Sequence, residues 1–209
     1  MKWAAEASED IADPAELKRN GVSKVELAEP YISFKDQIED LKNHPFKTPS
    51  GKIEIYSQFM ADLNNPQLPP IPKYIEPEEG PDDLLSQKYP LQMISTHFRR
   101  RVHSQMDNIP WLKDVEPQAL WINPVDAEPR GIKNGERVKV FNNRGVSVIP
   151  AWVTERIMPG VVHLAEGGNY NPDENGIDRG GNPNVFTRQE PSPAGSFTLN
   201  SALVQVQEA

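Results

Sequence analysis

The 209-residue chain contains no cysteine. That absence excludes disulfides, iron–sulfur ligation and thiolate catalysis within the chain, and it leaves the redox compartment unread. Long apolar runs are also missing. No stretch approaches the roughly 20 residues needed to cross a bilayer, and Met1–Asp10 lacks the charge pattern of a secretory signal, so the chain as given is expected to be soluble. Basic charge is scarce, with 22 Lys and Arg against 30 Asp and Glu for a net charge of −8. A chain without a basic face has no general attraction for polyphosphate, so nucleic acid is not an expected partner. No GxGxxG and no GK[ST] accompanies Gly167-Gly168 or Gly180-Gly181, which removes the Rossmann and P-loop readings.

What is present divides unevenly along the chain. Residues 1–88 carry 17 acidic against 10 basic side chains, a net of −7, whereas residues 89–209 carry 13 against 12, a net of −1. Proline is frequent, 21 of 209, about twice the usual roughly 5%. It favours irregular connections and short strands over long helices.

Two short helices are expected early, over 6–19 and over Ser33–Leu41, where Phe34, Ile38 and Leu41 fall at helical spacing. The run Lys47–Ser57 reads as a Pro-Ser-Gly turn leading into an alternating strand with Ile53 and Ile55 on one face. Prolines then crowd the stretch 64–88 beside the acidic Glu76–Asp83, which reads as a linker or surface arm. The expected organisation is therefore 1–63, a linker 64–88, and a third region 89–209.

In that third region six short strands separated by turn residues are expected: Leu91–Ser95, Ala119–Ile122, Arg137–Asn142, Val146–Val153, Val161–Ala165 and Ala202–Val206. This is a β-barrel rhythm. Asn142–Gly145 supplies a hairpin turn of residues that tolerate positive φ. A helix capped by Asn123, with Pro124 at its first position, is expected to run to Arg130 before Gly131, and Asp126 in its first turn suits the helix dipole. Asn123 and Asp126 are accordingly read as structural.

Chemistry concentrates in Thr96–Ser104, where three arginines, two histidines and two hydroxyls follow directly on the apolar run Leu91–Ile94. Guanidinium forks, hydroxyls and backbone N–H groups suit an anionic ligand such as a phosphate. The rival reading is a solvated basic edge paired with acidic surface. His97, His103 and His163 with Glu166 fit no common zinc-ligand spacing.

The order of these motifs resembles the C-terminal part of molybdopterin oxidoreductases of the dimethyl sulfoxide reductase family, most of all its anaerobic dimethyl sulfoxide reductase catalytic subunits. The matching stretches are Lys47–Ser57, His97–Ser104, Ile122–Ala127 with Gly131–Gly135, Val138–Gly145, Val153-Thr154, Pro159–Val162 and the late Asn-rich loop. The resemblance implies a mainly β fold, a six-stranded double-psi β-barrel with short helices preceded by an irregular α+β segment. It implies that residues 89–209 bind bis(molybdopterin guanine dinucleotide) carrying molybdenum.

Carried over by motif, the cofactor contacts fall on Ser95, Thr96, His97, Arg101, His103 and Ser104, then on Asn182 and Asn184, and then on Asn200. Without the resemblance, His103 reads as a core histidine and Asn182 and Asn184 as turn formers. The metal's protein ligand and any iron–sulfur cysteines lie upstream in the family, so this chain is expected to supply no catalytic residue. The implied partners are the remainder of the catalytic subunit, an iron–sulfur electron-transfer subunit and a membrane anchor, with the complete subunit exported in a prokaryote. A reading of another class is a free-standing double-psi barrel serving as a protein-interaction module.

Overall fold

The structure, a computed structural model, describes residues 14–22, 24, 27–197 and 202–209. Its contacts divide the chain into two compact units, 1–57 and 58–209. The first unit holds helices α1 (Pro14–Asn20) and α2 (Lys35–Glu39). The second holds α3 (Gln58–Asp62), α4 (Pro110–Val115), α5 (Pro124–Ala127) and six strands: β1 (Leu91–Ile94), β2 (Leu120–Ile122), β3 (Arg137–Phe141), β4 (Val146–Val153), β5 (Val161–Leu164) and β6 (Ala202–Glu208). The six strands close into one barrel in the order β1-β5-β2-β4-β3-β6.

The expected six-stranded barrel is therefore present, with strand ends within a residue or two of the sequence reading. Two pairs are parallel, β1 with β5 and β2 with β4, and the other four are antiparallel. Side-chain alternation decides which face fills the interior. Leu91 and Met93, Leu120 and Ile122, Val138 and Val140, Val162 and Leu164, and Val204 and Val206 are all buried and join one apolar cluster. Removing each such side chain from water contributes about 1.5–3 kcal/mol, the main driving force for closure. Residues one position along face outward in a row set by the register: Ile94 lies opposite His163, His163 opposite Trp121, and Trp121 opposite Trp152.

Strand directions send the β1–β2, β3–β4 and β5–β6 connections to one end of the barrel, called the loop end below. The β2–β3 and β4–β5 connections emerge at the other. At that opposite end Asn123 caps α5 by accepting from Val125 N–H, Pro124 takes the first helical position, and Gly131 closes the following turn at φ 70°. This matches the expected helix, whose last turn tightens to 3₁₀ geometry over Glu128–Arg130.

Two expectations need correction. No strand forms over Lys52–Ser57 among the described residues, and Ile53 and Ile55 are each 76% exposed. An alternating run makes a strand only where a partner supplies the ladder, and here the segment instead follows a turn in which Phe46 N–H donates to Gly51 O and Thr48 Oγ1 to Lys52 O. The Asn142–Gly145 turn connects β3 and β4, but none of its residues has positive φ. Asn142 turns inward and its side-chain oxygen accepts from Arg144 N–H and Gly145 N–H, an Asx arrangement that removes the need for left-handed backbone.

The stretch 64–88 falls inside the second unit, so the contacts divide the chain before it. There Glu79 is buried against the barrel: both its carboxylate oxygens accept from Arg144 Nη2, at 2.7 and 2.6 Å, and one accepts from Leu203 N–H at 3.1 Å. Of the helix expected over 6–19, residues 6–13 lie outside the described residues and α1 occupies the remainder. The sequence reading did not anticipate α3 or α4.

Candidate functional site

The loop end gathers the residues singled out in the sequence. Ser95 and Thr96 leave β1, and Glu166 N–H donates to Thr96 O, which extends the β1–β5 pairing by one rung past both strands. His103 and Ser104 then form the tip of a tight hairpin, because Val102 and Gln105 exchange both backbone hydrogen bonds around them. His103 adopts φ 54° in this turn, a left-handed conformation uncommon for a residue with a Cβ. Gly167, at φ 82°, lies against it: a Cβ on Gly167 would meet His103 O at 1.8 Å. Gly168 approaches the backbone of Gly180 and Gly181 in the same way, and Gly180 that of Asn169. The two glycine pairs therefore let stretches of the β1–β2 and β5–β6 connections stack backbone on backbone.

The three arginines behave differently from one another. Arg101 is 7% exposed and spends its guanidinium on protein, donating to Asp107 Oδ1 at 2.7 Å, Gln118 Oε1 at 2.9 Å and Glu166 O at 2.8 Å while lying over the Phe98 ring. Asp107 in turn accepts from Asn169 N–H. Gln118 donates to both Ala165 O and Gly181 O. Arg101 thus ties the β1–β2 loop to both ends of the 165–181 loop, while its buried Nε has no partner in the protein. Arg99 and Arg100 both reach Glu116 Oε2, at 2.9 and 3.2 Å.

Turned toward solvent alongside Arg99 is the imidazole pair. His97 and His103 expose 60% and 72% of their side chains, and their ring centroids stand 4.8 Å apart. Both reach the same oxygen of Glu166, His97 Nε2 at 3.2 Å and His103 Nδ1 at 3.1 Å. Ser104 is exposed beside them. Thr96 Oγ1 is instead engaged with His163 Nε2 at 2.8 Å. His163 is 7% exposed, its Nδ1 has no partner, and burial pushes its imidazole below the ordinary range, which keeps it neutral at pH 7. It lines a cavity of about 320 Å³ with Trp121, Trp152, Thr96 and Arg156.

The asparagine-rich loop is organised by Asp178. Fully buried, it accepts from Asn171 N–H, Gly180 N–H, Asn182 N–H and the Ser147 hydroxyl, so four donors that would otherwise be orphaned converge on one carboxylate. Asn182 then caps a short 3₁₀ turn by accepting from Asn184 N–H, and Asn184 projects outward. Both line a cleft of about 620 Å³ with Arg144, Tyr170, Thr187 and Gln189. Phe186, with no exposed surface, plugs the barrel beneath, and its carbonyl accepts from Asn142 Nδ2 and Arg144 Nε. Asn200 lies outside the described residues.

The structure therefore brings Ser95–Ser104, Asn182 and Asn184 to one barrel end. Sequence reasoning missed Asp178, Gln118, Asp107 and the Glu79–Arg144 pair, all buried or half-buried polar residues whose partners lie far along the chain. The exposed donors at this end include the two imidazoles, the Ser104 hydroxyl, the Asn184 amide and the Arg99 guanidinium. That donor set fits a ligand with phosphate oxygens and heterocycle edges.

Comparison with known proteins gives the same answer. Residues 91–198 match the family model described as the molydopterin dinucleotide binding domain. The chain belongs to that family. Beyond the molybdopterin dinucleotide-binding domain itself, it is 42% identical over 201 residues to the dimethyl sulfoxide reductase DmsA of Haemophilus influenzae, covering 92% of this chain and 25% of the relative. It is 42% identical over 212 residues to the Escherichia coli DmsA, covering 97% and 26%, and 40% identical over 182 residues to trimethylamine-N-oxide reductase 1 of Escherichia coli, covering 80% and 21%. The chain thus spans about a quarter of the length of these curated relatives. Among solved structures, acetylene hydratase from Pelobacter acetylenicus superposes with a TM-score of 0.65 at 22% identity, over 78% of this chain and 24% of that one. That likeness establishes the fold. Among the described residues no helix is long and apolar enough to cross a membrane.

Proposed function

We propose that this chain is the dinucleotide-holding C-terminal portion of a molybdenum oxidoreductase catalytic subunit of the S-oxide or N-oxide reductase type. The observation that carries the reading is the 42% identity to the Haemophilus influenzae dimethyl sulfoxide reductase DmsA across 92% of the chain. The bound group is bis(molybdopterin guanine dinucleotide), which supplies the oxygen-atom transfer at its molybdenum. The chain's own residues bind and orient.

His97, His103 and Ser104 offer donors to phosphate oxygens from one side of the loop end, and Asn182 and Asn184 offer amide groups to a ring edge from the other. Ser95 and Thr96 set the direction in which the chain leaves β1. Arg101, through Gln118 and Asp107, fixes the distance between the two sides. Asn200, which precedes β6, completes the set as a third contact. The remainder of the catalytic subunit supplies the metal ligand and the substrate access, and an iron–sulfur subunit and a membrane anchor complete an exported assembly. The chain by itself binds without turnover.

An NMR titration of the chain with guanosine diphosphate tests this. The expected result is a set of shifts confined to His97–Ser104 and the surroundings of Asn182 and Asn184. Shifts spread over every Lys and Arg would reduce the site to general electrostatics and overturn the reading.

A further inference from the structure

Histidines at positions 97 and 103 and a glutamate at 166 have no metal-binding spacing in sequence, yet the fold sets one ligand atom from each within 4.8 Å of the others. Among the described residues this is the one such trio of His, Cys, Asp or Glu. Two of its edges are already short, His97 Nε2 to Glu166 Oε1 at 3.2 Å and His103 Nδ1 to the same oxygen at 3.1 Å. A tetrahedral zinc ion with bonds of 2.0–2.1 Å holds its ligand atoms about 3.3–3.4 Å apart. The two shared edges are therefore close to the length a bound ion requires, and closing the third asks only that two exposed imidazoles tilt toward each other.

The carboxylate oxygen at the apex has its own anomaly. Glu166 Oε1 is shielded from solvent and makes no aligned hydrogen bond, although both imidazoles stand at contact distance. An anionic oxygen in that position lacks a cation or donor directed along its lone pairs, and it carries a free-energy cost that a metal ion would remove. The trio is also held by backbone. His103 is locked in its left-handed turn by the approach of Gly167, the residue next to Glu166, and Glu166 N–H is bonded to Thr96 O, the residue before His97. All three ligands are thus braced by the same pair of loops.

We propose that His97 Nε2, His103 Nδ1 and Glu166 Oε1 form a three-point site for a divalent first-row transition-metal ion, zinc above all, in the dinucleotide-free chain. Two neutral imidazoles and one carboxylate suit zinc, cobalt or nickel, and suit magnesium or calcium poorly, because the latter favour all-oxygen shells. Three protein ligands leave a fourth position for water, as in open zinc sites. The same imidazoles face the dinucleotide in the function proposed above, so ion and dinucleotide exclude one another here. The metal site belongs to the chain before its cofactor is inserted, and it does not rest on that functional reading.

The test uses the 209-residue chain without dinucleotide. Zinc is titrated by calorimetry and cobalt by visible absorption, while side-chain NMR follows all four histidines of the wild-type chain. Uptake of one ion per chain is expected, with tetrahedral cobalt absorption and with shifts at His97 and His103 while His44 and His163 stay in place. His103→Ala and Glu166→Gln are each expected to weaken zinc by more than the roughly 10–100-fold that losing a mere outer-shell partner costs. His44→Ala is expected to leave affinity unchanged. The proposal is overturned if the wild-type chain takes up no zinc, if the NMR shifts fall on His44 and His163 equally, or if both His103→Ala and Glu166→Gln keep wild-type affinity. The wild-type NMR experiment decides even where a variant fails to fold.

Discussion

The two ends of the barrel use the same kinds of residue for opposite purposes. At the end where β2 leads to β3 and β4 to β5, polar side chains are consumed by the chain itself. Asn123 caps α5 and donates to Ile157 O at 2.6 Å, and Asp126 accepts from Gly160 N–H at 2.8 Å, so the two connections are sewn together. At the loop end an inner ring does the same work: Asp178, Arg101, Gln118 and Asn142 all bond to protein. Outside that ring, His97, His103, Ser104 and Asn184 still point to solvent. A motif therefore identifies a ligand site only when its donors outnumber the local backbone's needs. The Asn-Pro-x-Asp-Ala run is as prominent in the sequence as His97–Ser104, yet its polar groups are fully spent at home.

The sharpest way to break this distinction is to remove the inner ring's carboxylate. Asp178→Ala strands three backbone N–H groups and the Ser147 hydroxyl, all but that of the exposed Asn171 at buried or half-buried positions. Each unsatisfied buried donor costs about 1–3 kcal/mol, so a loss of at least about 3 kcal/mol is expected in urea unfolding, with Asn182 and Asn184 losing their fixed positions. A variant that unfolds at the wild-type urea midpoint would show that the loop is held by something else.

How much of this was legible follows from range in sequence. The six strands were readable because each carries its alternation within a few residues, and α5 was readable because Asn123, Pro124 and Gly131 mark its two ends locally. The strand expected after Gly51 was not realised because alternation gives only half of a strand, and the missing half is a neighbour. The imidazole pair was visible as a cluster, but its joint approach to Glu166 depends on β1 lying parallel beside β5, a relation between residues more than sixty positions apart. Gln118 and Asp178 carry no local signal at all: each is an ordinary polar residue in a turn-rich stretch, made central by backbone groups from elsewhere. Arg101 is the converse case, since its charge is local and its protein partners Asp107, Gln118 and Glu166 O are not.

A finer comparison sets one asparagine from each end against the other. Asn123→Ala removes a cap and a buried bond to Ile157 O, and a loss of about 1–2 kcal/mol in stability is expected with no change in the guanosine diphosphate titration. Asn184→Ala, at an exposed position, is expected to move stability by less than about 0.5 kcal/mol and to weaken the titration. If the two variants exchanged these effects, the assignment of ligand and structural ends would be reversed.

The smallest expected effect concerns His163, which lies on the barrel wall between the two ends. Burial lowers its folded-state pKa below the ordinary 6.5, so the unfolded chain binds the proton more readily. Stability attributable to neutral His163 is therefore complete above pH 6.5 and is lost as pH falls through that value toward the lower folded pKa. The neutral imidazole cannot simply be given up, because Thr96 Oγ1 bonds its Nε2 and the Trp121 ring packs at 4.9 Å. His163→Gln keeps a polar group for Thr96 and carries no titration, so thermal unfolding of this variant is expected to depend less on pH than the wild type over the interval just below 6.5. An undiminished pH slope in the variant would assign that slope to groups other than the wall histidine.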